Sequence, residues 1–271
     1  MSDKLSSILC KDVLSDDDLF FIKFQEYRCA LVSGGVYGLV DFSGIGIPFA
    51  SSVEVSRIFG DSRILFNSFG VYHDLYSDKF IISFGGTVPC NFSDWRTNFN
   101  QFFGKSAAGY VFGIDLVGKI SAEYLDRVIV TGHSLGGGIA TAAAVSRCLC
   151  CYAFNPPAIH LNTLRQFEPL DYEMINKRVT RFVVAGEILD LVNKTAGIRC
   201  RRIGEKRQLY GSWRLPNLLG LFLGRRLFAK IIPNPLILLA GTIGLPLLEK
   251  SIVLHGMEEV FCGLKKYLKT K

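Results

Sequence analysis

Histidine, tryptophan and methionine are scarce in this sequence: its 271 residues include four, two and three of them. With so few histidines, any imidazole chemistry has to come from one of four positions. Metal-binding cysteine pairs are also missing. Eight cysteines occur, yet no CxxC pair is followed by a second metal half, which argues against zinc. They do not form a disulfide framework either. Cys148, Cys150 and Cys151 stand almost adjacent in "RCLCCYAF" and read as small buried hydrophobes of a chain made in a reducing compartment. No internal repeat, low-complexity linker or nucleic-acid-binding motif occurs. The opening "MSDKLSSILCKDVLSDDDLFF" lacks an apolar run adequate for a cleaved signal. One stretch of eighteen uncharged residues, Ile231–Leu248, reaches membrane-spanning length. Its three prolines and two glycines break a continuous spanning helix. An interfacial or lid-like element over about 213–248 is expected instead.

What is present is a core-forming composition, 49% hydrophobic and 20% charged. It suits one α/β domain spanning 1–271 and leaves little room for disorder. The net charge of +7 is uneven. Asp16, Asp17 and Asp18 make the start acidic. Between Lys194 and Lys230 stand ten Lys or Arg and one acid, Glu205, and "LKKYLKTK" ends the chain with four more lysines. These cations alternate with Leu, Phe and Pro, a pattern suited to an anionic phospholipid surface rather than nucleic acid. A solvated basic face is the plain alternative.

Strand and helix patterns alternate along the chain. "SDDDLFFIKFQEYRCALV" predicts an early helix. "KFIISFGG" predicts a buried strand stopped by glycines, and "SDWRTNFNQFFG" a short helix ending at Gly104. A helix through "GIDLVGKISAEYLD" precedes strand "RVIVTG"; a long helix, strand "CCYAFN", a helix near Leu161 to Phe167 and strand "TRFVVAG" follow. The final helix is "GMEEVFCGLKKYLK". This order implies an α/β fold with a doubly wound, mainly parallel sheet flanked by helices.

Ser134 lies in Gly132-His133-Ser134-Leu135-Gly136, the pattern G-x-S-x-G, between "VIVT" and an alanine-rich helix. A sharp strand-to-helix turn strains the serine backbone and projects its Oγ from the sheet edge. A Cβ at the flanking glycines would collide with the adjoining strand or helix. The helix N-terminus favours a developing oxyanion, with the N–H of Leu135 as one donor. The plain alternative is a glycine-rich turn with a helix-capping serine.

A nucleophilic serine needs a base, and the base needs an orienting carboxylate. On this fold the chain order is serine, acid, histidine. His73 and His133 precede Ser134, and His160 comes before the next strand has supplied an acid. His255 in "KSIVLHGMEEV" therefore remains; otherwise it is a surface histidine capping the last helix. "RFVVAGEILDLVN" offers two acids, Glu187 and Asp190. Glu187, directly after the strand and its glycine, is preferred; Asp190 stays open as the shorter, commoner type. A second oxyanion donor belongs on the loop after an earlier strand, where Thr87 follows Gly85 and Gly86.

Together, "ISFGGTVPCNFSDWRTNF", "VIVTGHSLGGGIATAAA", "AFNPPAIH", "VVAGEILDLVN" and "LHGMEEV" resemble the class 3 lipases, the fungal triacylglycerol lipase-like α/β hydrolases. Phe84, Gly86, Thr87, Asp94 and Trp95 match the family's turn, with Gly85 where arginine is usual. The family's acid register falls on Glu187. "GE" at this place and "AFN" before a proline-containing loop are also similar to bacterial secreted phospholipase toxins. The resemblance covers roughly residues 70 to 262 and implies an α/β-hydrolase fold.

The resulting expectation is a serine carboxylester hydrolase acting on lipids, a phospholipase of A type or an acylglycerol lipase. It uses Ser134, His255 and Glu187 or Asp190, with Thr87 and Leu135 at the oxyanion, and no metal or cofactor. A lipid ester and a membrane surface are its partners. It would be cytoplasmic, peripheral on a membrane, or an effector exported without a cleaved signal. The alternatives are a non-catalytic membrane-binding protein on a hydrolase fold and an esterase of non-lipid esters.

Overall fold

The computed structural model describes residues 16–36, 40–60, 69–85, 108–167, 170–190, 200–212 and 255–271. Two helices open it, α1 (Asp16–Phe21) and α2 (Gln25–Gly35), followed by α3 (Ser52–Phe59). Strands β1 (Phe69–Asp74) and β2 (Lys79–Phe84) form an antiparallel hairpin. Helix α4 (Ala108–Gly118), strand β3 (Val128–His133), helix α5 (Leu135–Arg147) and strand β4 (Cys150–Phe154) come next. The short strand β5 (Ile159–His160) leads to helices α6 (Leu161–Arg165) and α7 (Tyr172–Arg178), then strand β6 (Val179–Val184). Strands β7 (Cys200–Arg201) and β8 (Glu205–Leu209) and helix α8 (Met257–Leu268) complete the order. The main sheet runs β1-β2-β3-β4-β6-β8, and every pairing after the β1–β2 hairpin is parallel. β5 and β7 pair separately.

The period of two sorts the central strands onto two cores. Phe80, Ile82, Val128 and Val130 face the side covered by α3, α4 and α5. Ile81, Ile129, Phe154 and Phe182 face α2 and α8. The sheet is thus buried on both faces, as its apolar strands require. This is the α/β architecture expected from the sequence: a mainly parallel sheet flanked by helices.

Local details depart from the sequence reading. The single early helix is two, because Phe24 takes an extended conformation (φ −88, ψ 126) and starts a second helix. Phe21 and Ile22 are buried there, and Arg28 Nη1 holds the Ile22 carbonyl at 2.7 Å. The helix through "GIDLVGKISAEYLD" starts earlier, at Ala108, and stops at Gly118; a 3₁₀ turn, Ala122–Arg127, follows. Arg147 caps that stop by donating to the carbonyls of Gly118 (3.0 Å) and Ile120 (3.2 Å). Of the clustered cysteines Cys151 is buried, whereas Cys148 and Cys150 are half-buried; all the cysteines described are free thiols. The sequence pattern predicts no counterpart of β1, α3, α7 or β8, nor of the short strands β5 and β7. For α3 a signal existed: Ser51 and Glu54 form a reciprocal capping box. The helix expected to end at Gly104, Thr87 and the 213–248 segment lie outside the described residues. Among the described residues no helix is long and apolar enough to cross a membrane.

A buried ion pair ties α2 to the hairpin. Arg28 Nη2 and Asp74 Oδ2 are 2.8 Å apart, with side chains 3% and 0% exposed. Asp74 also accepts from Ser77 Oγ at 2.6 Å and the Tyr76 N–H at 3.2 Å. Removing one partner leaves a desolvated charge, so Arg28→Ala is expected to lower stability by about 3 kcal/mol, read as a drop in the urea midpoint at unchanged m-value.

Candidate active site

The ends of β3 and β6 and the turn before α8 carry the candidate residues. β3 runs into Ser134, whose backbone sits at φ 56, ψ −129, a region L-residues seldom occupy. Ser134 is the N-cap of α5, but its side chain makes no capping hydrogen bond. The hydroxyl is therefore not spent on the helix, contrary to the plain alternative of a capping serine. Its N–H bonds the Phe154 carbonyl at 2.9 Å, fixing the turn to β4. Leu135 is the first residue of α5, where N–H groups have no intrahelical acceptor.

The glycines around Ser134 each answer to a specific neighbour. A Cβ on Gly136 would lie 2.1 Å from the Phe84 carbonyl oxygen, and one on Gly132 would lie 2.4 Å from the Gly136 carbonyl carbon. On Gly137 it would approach the Gly132 oxygen at 2.8 Å, and on Gly138 it would meet Tyr110 Oη at 2.6 Å and Pro157 Cγ at 2.7 Å. Helix α5 is thereby pressed against the ends of β2 and β3. Phe84 pairs with Gly132, so the strand leading towards Thr87 ends beside the elbow.

His255 is buried and immediately precedes α8, whose N-cap is Gly256, so it is not a surface capping residue. Its Nδ1 lies 2.7 Å from Glu187 Oε2. Glu187 follows β6 through Gly186, which has φ +83. Its carboxylate also accepts the N–H of Leu189, at 2.8 Å to Oε2, and that of Asp190 on Oε1. Asp190 meets a different partner, Lys206 Nζ on β8, at 3.1 Å. The structure thus brings Glu187 to His255 and Asp190 to Lys206. Among the described residues no group of acids, His and Cys could hold a metal ion.

Two further side chains reach this place. His133 Nε2 lies 2.7 Å from the main-chain oxygen of His255, and Asn155 Nδ2 donates to the same oxygen at 3.0 Å. Sequence reasoning gave neither a role. The available signal was a polar residue, Asn155, placed directly between an apolar strand and two prolines, at the strand end where sites gather.

Burial sets the charge states. It pushes His255 down to about 3. It does the same to His133, with the neighbouring His255 adding to the shift. Burial, then the Asp190 charge, push Glu187 up, opposed by the two backbone N–H groups and Lys206.

Two outcomes follow from this geometry. Gly136→Ala forces backbone against backbone and is expected to cost about 3 kcal/mol or more, whereas Gly118→Ala, with open space at its Cβ, is neutral; melting temperatures compare them. The second concerns acid. Unfolded, both histidines titrate near 6.5, so the unfolded chain takes up two protons that the folded chain refuses down to about pH 3. Glu187 acts in the opposite sense, but for one proton. The histidine contribution is therefore full above about pH 6.5 and is lost as pH falls, and with two protons against one the net stability falls below that pH. His133→Gln, which cannot protonate when unfolded, makes the decline in urea midpoint shallower.

Residues 60–211 match the Tle-like phospholipase domain, a phospholipase-like family. An extracellular phospholipase A1 of Serratia liquefaciens is 27% identical over 147 residues, 52% of this chain and 44% of that protein. The chain therefore spans under half the length of that relative. Among solved structures, the M37 lipase aligns over 92% of this chain and 99% of its own at 12% identity, with a TM-score of 0.43. The Rhizomucor miehei lipase–propeptide complex aligns over 72% and 70% at 14% identity, with a TM-score of 0.37. The resemblance to lipases and bacterial phospholipases is borne out by the family match, which covers more than half of the sequence: the chain belongs to the Tle-like phospholipase domain family.

Proposed function

We propose that the chain hydrolyses carboxylic esters of lipids by a serine mechanism, with Ser134 as nucleophile, His255 as base and Glu187 as the acid that orients it. One observation carries this reading. The His255–Glu187 hydrogen bond of 2.7 Å joins side chains 3% and 1% exposed, and the His255 ring lies 4.9 Å from that of His133, the residue before a strained Ser134 whose hydroxyl caps nothing. In the reaction His255 Nε2 takes the proton of Ser134 Oγ as the oxygen attacks the ester carbonyl. Glu187 accepts from Nδ1–H and stabilises the imidazolium. The N–H groups of Leu135 and Thr87 receive the oxyanion. The imidazolium protonates the departing alcohol, and water, deprotonated by His255, releases the acid from the acyl-enzyme. Asp190, paired with Lys206, has no part in these transfers.

The substrate class follows from the family, which is phospholipase-like, and from the phospholipase A1 named above. A phospholipid cleaved at an acyl ester is accordingly favoured over an acylglycerol. The whole of 1–271 acts as one hydrolase domain, peripheral on a bilayer, with the apolar and basic residues of 213–248 meeting anionic lipid.

Fatty-acid release from phosphatidylglycerol–phosphatidylcholine vesicles tests the reading. Ser134→Ala and Glu187→Gln should each lower kcat by roughly 10³-fold or more, and Asp190→Asn by less than tenfold. A Ser134→Ala protein that still released fatty acid overturns the mechanism. Equal losses in the Glu187 and Asp190 variants overturn the choice of acid. Fluorophosphonate labelling at Ser134, lost in His255→Ala, counts against a non-catalytic binding protein.

A further inference from the structure

The main-chain carbonyl of His255 is met by two side chains. His133 Nε2 stands 2.7 Å from its oxygen and Asn155 Nδ2 stands 3.0 Å from it. A carbonyl can only accept, so His133 carries its proton on Nε2 here, as the donor. Both donors are buried, at 8% and 0% exposure. A buried amide or imidazole is costly unless satisfied, and here both are directed at one atom.

Asn155 is itself held firmly. Its backbone is left-handed at φ 46, its N–H bonds the Phe182 carbonyl at 2.8 Å, and its Oδ1 accepts the Val184 N–H at 2.9 Å. Val184 ends β6, three residues before Glu187. One end of the Asn155 amide therefore rests on the strand that delivers Glu187, and the other on the backbone of His255. His133 completes the frame from the adjoining strand, since it ends β3, pairs with Phe154 and is bonded directly to Ser134. The ends of β3, β4 and β6 thus refer to one oxygen atom.

This arrangement answers a mechanical need. Glu187 fixes the imidazole of His255 at Nδ1, but the ring hangs from the backbone by two rotatable bonds. His255 lies in a turn outside any strand. Unless that backbone is held, Nε2 can drift against Ser134 Oγ, and a misplacement of about 1 Å can cost about 10²-fold in rate. We propose that His133 and Asn155 are positioning residues, which lock the base by its carbonyl in register with both Ser134 and Glu187. The inference rests on the serine mechanism proposed above.

The test measures four quantities on the full chain. These are the rate constant for fluorophosphonate labelling of Ser134, kcat and KM on phosphatidylglycerol–phosphatidylcholine vesicles, the melting temperature, and the downfield proton resonance of His255 Nδ1–H. His133→Leu and Asn155→Asp each remove one donor; aspartate retains an acceptor for the Val184 N–H. Both should slow labelling and kcat at least tenfold with KM within threefold, at temperatures where they are folded, and should move the Nδ1–H resonance. His133→Gln, whose amide nitrogen reaches where Nε2 stands, should recover the rate to within about threefold of wild type. His133→Asn, too short to reach, should not. That polar pair carries the test if the leucine variant does not fold. Folded donor-less variants that label within twofold of wild type, or lose only melting temperature, overturn the positioning role. A wild-type protein that is not labelled at Ser134 at all overturns the serine mechanism itself, which is a distinct result.

Discussion

The approach of α5 to the ends of β2 and β3 is the constraint on which the rest of this structure depends. At Gly136 the helix passes so near the Phe84 carbonyl that a Cβ would sit 2.1 Å from its oxygen. Because the helix begins there, Ser134 must turn at φ 56 rather than continue the strand. Because β2 ends there too, the loop that leaves it starts beside the serine. Pro156 and Pro157 close the other flank, against Gly137 and Gly138. One contact between backbones thereby sets where the strained serine, the N-terminus of α5 and the end of β2 meet.

Around that elbow the protein separates two buried acids three residues apart. Two carboxylates left together in a low-dielectric interior would compete for one counter-charge. Glu187 has an imidazole and two backbone N–H groups; Asp190 has the ammonium of Lys206 from the neighbouring strand. The two groups thus have different partners. His133 and Asn155 add a buried, neutral pair at the His255 carbonyl, tying the elements together without another charge.

Much of this was legible in the sequence, and the physical reasons are local. Apolar runs such as "KFIISF" and "RVIVT" name buried strands because a sheet covered on both faces needs no polar alternation. "GHSLGGG" names the elbow because clearance and strain act between residues a few positions apart. The breaks in the early helix and after Gly118 were harder to read. Arg28, six positions on, donates to the Ile22 carbonyl at the first break, and Arg147, 29 and 27 positions away, donates to the Gly118 and Ile120 carbonyls at the second. Asn155 was passed over because an asparagine before two prolines reads first as a turn residue. Its partners, Val184 and His255, are 29 and 100 positions away.

The sequence by itself determined the alternation of the central strands β2, β3, β4 and β6 with helices, the strained serine with its glycines, and the single histidine that follows both it and the two acids. Those features depend on the period of two, on Cβ sterics and on chain order, and all three are written in neighbouring residues. Only the tertiary structure decided which acid meets that histidine. Glu187 and Asp190 differ by less than one helical turn, too little for pattern to separate. Their partners are fixed by the packing of α8 against the sheet and by the place of Lys206 on β8, contacts that exist only once the chain has folded.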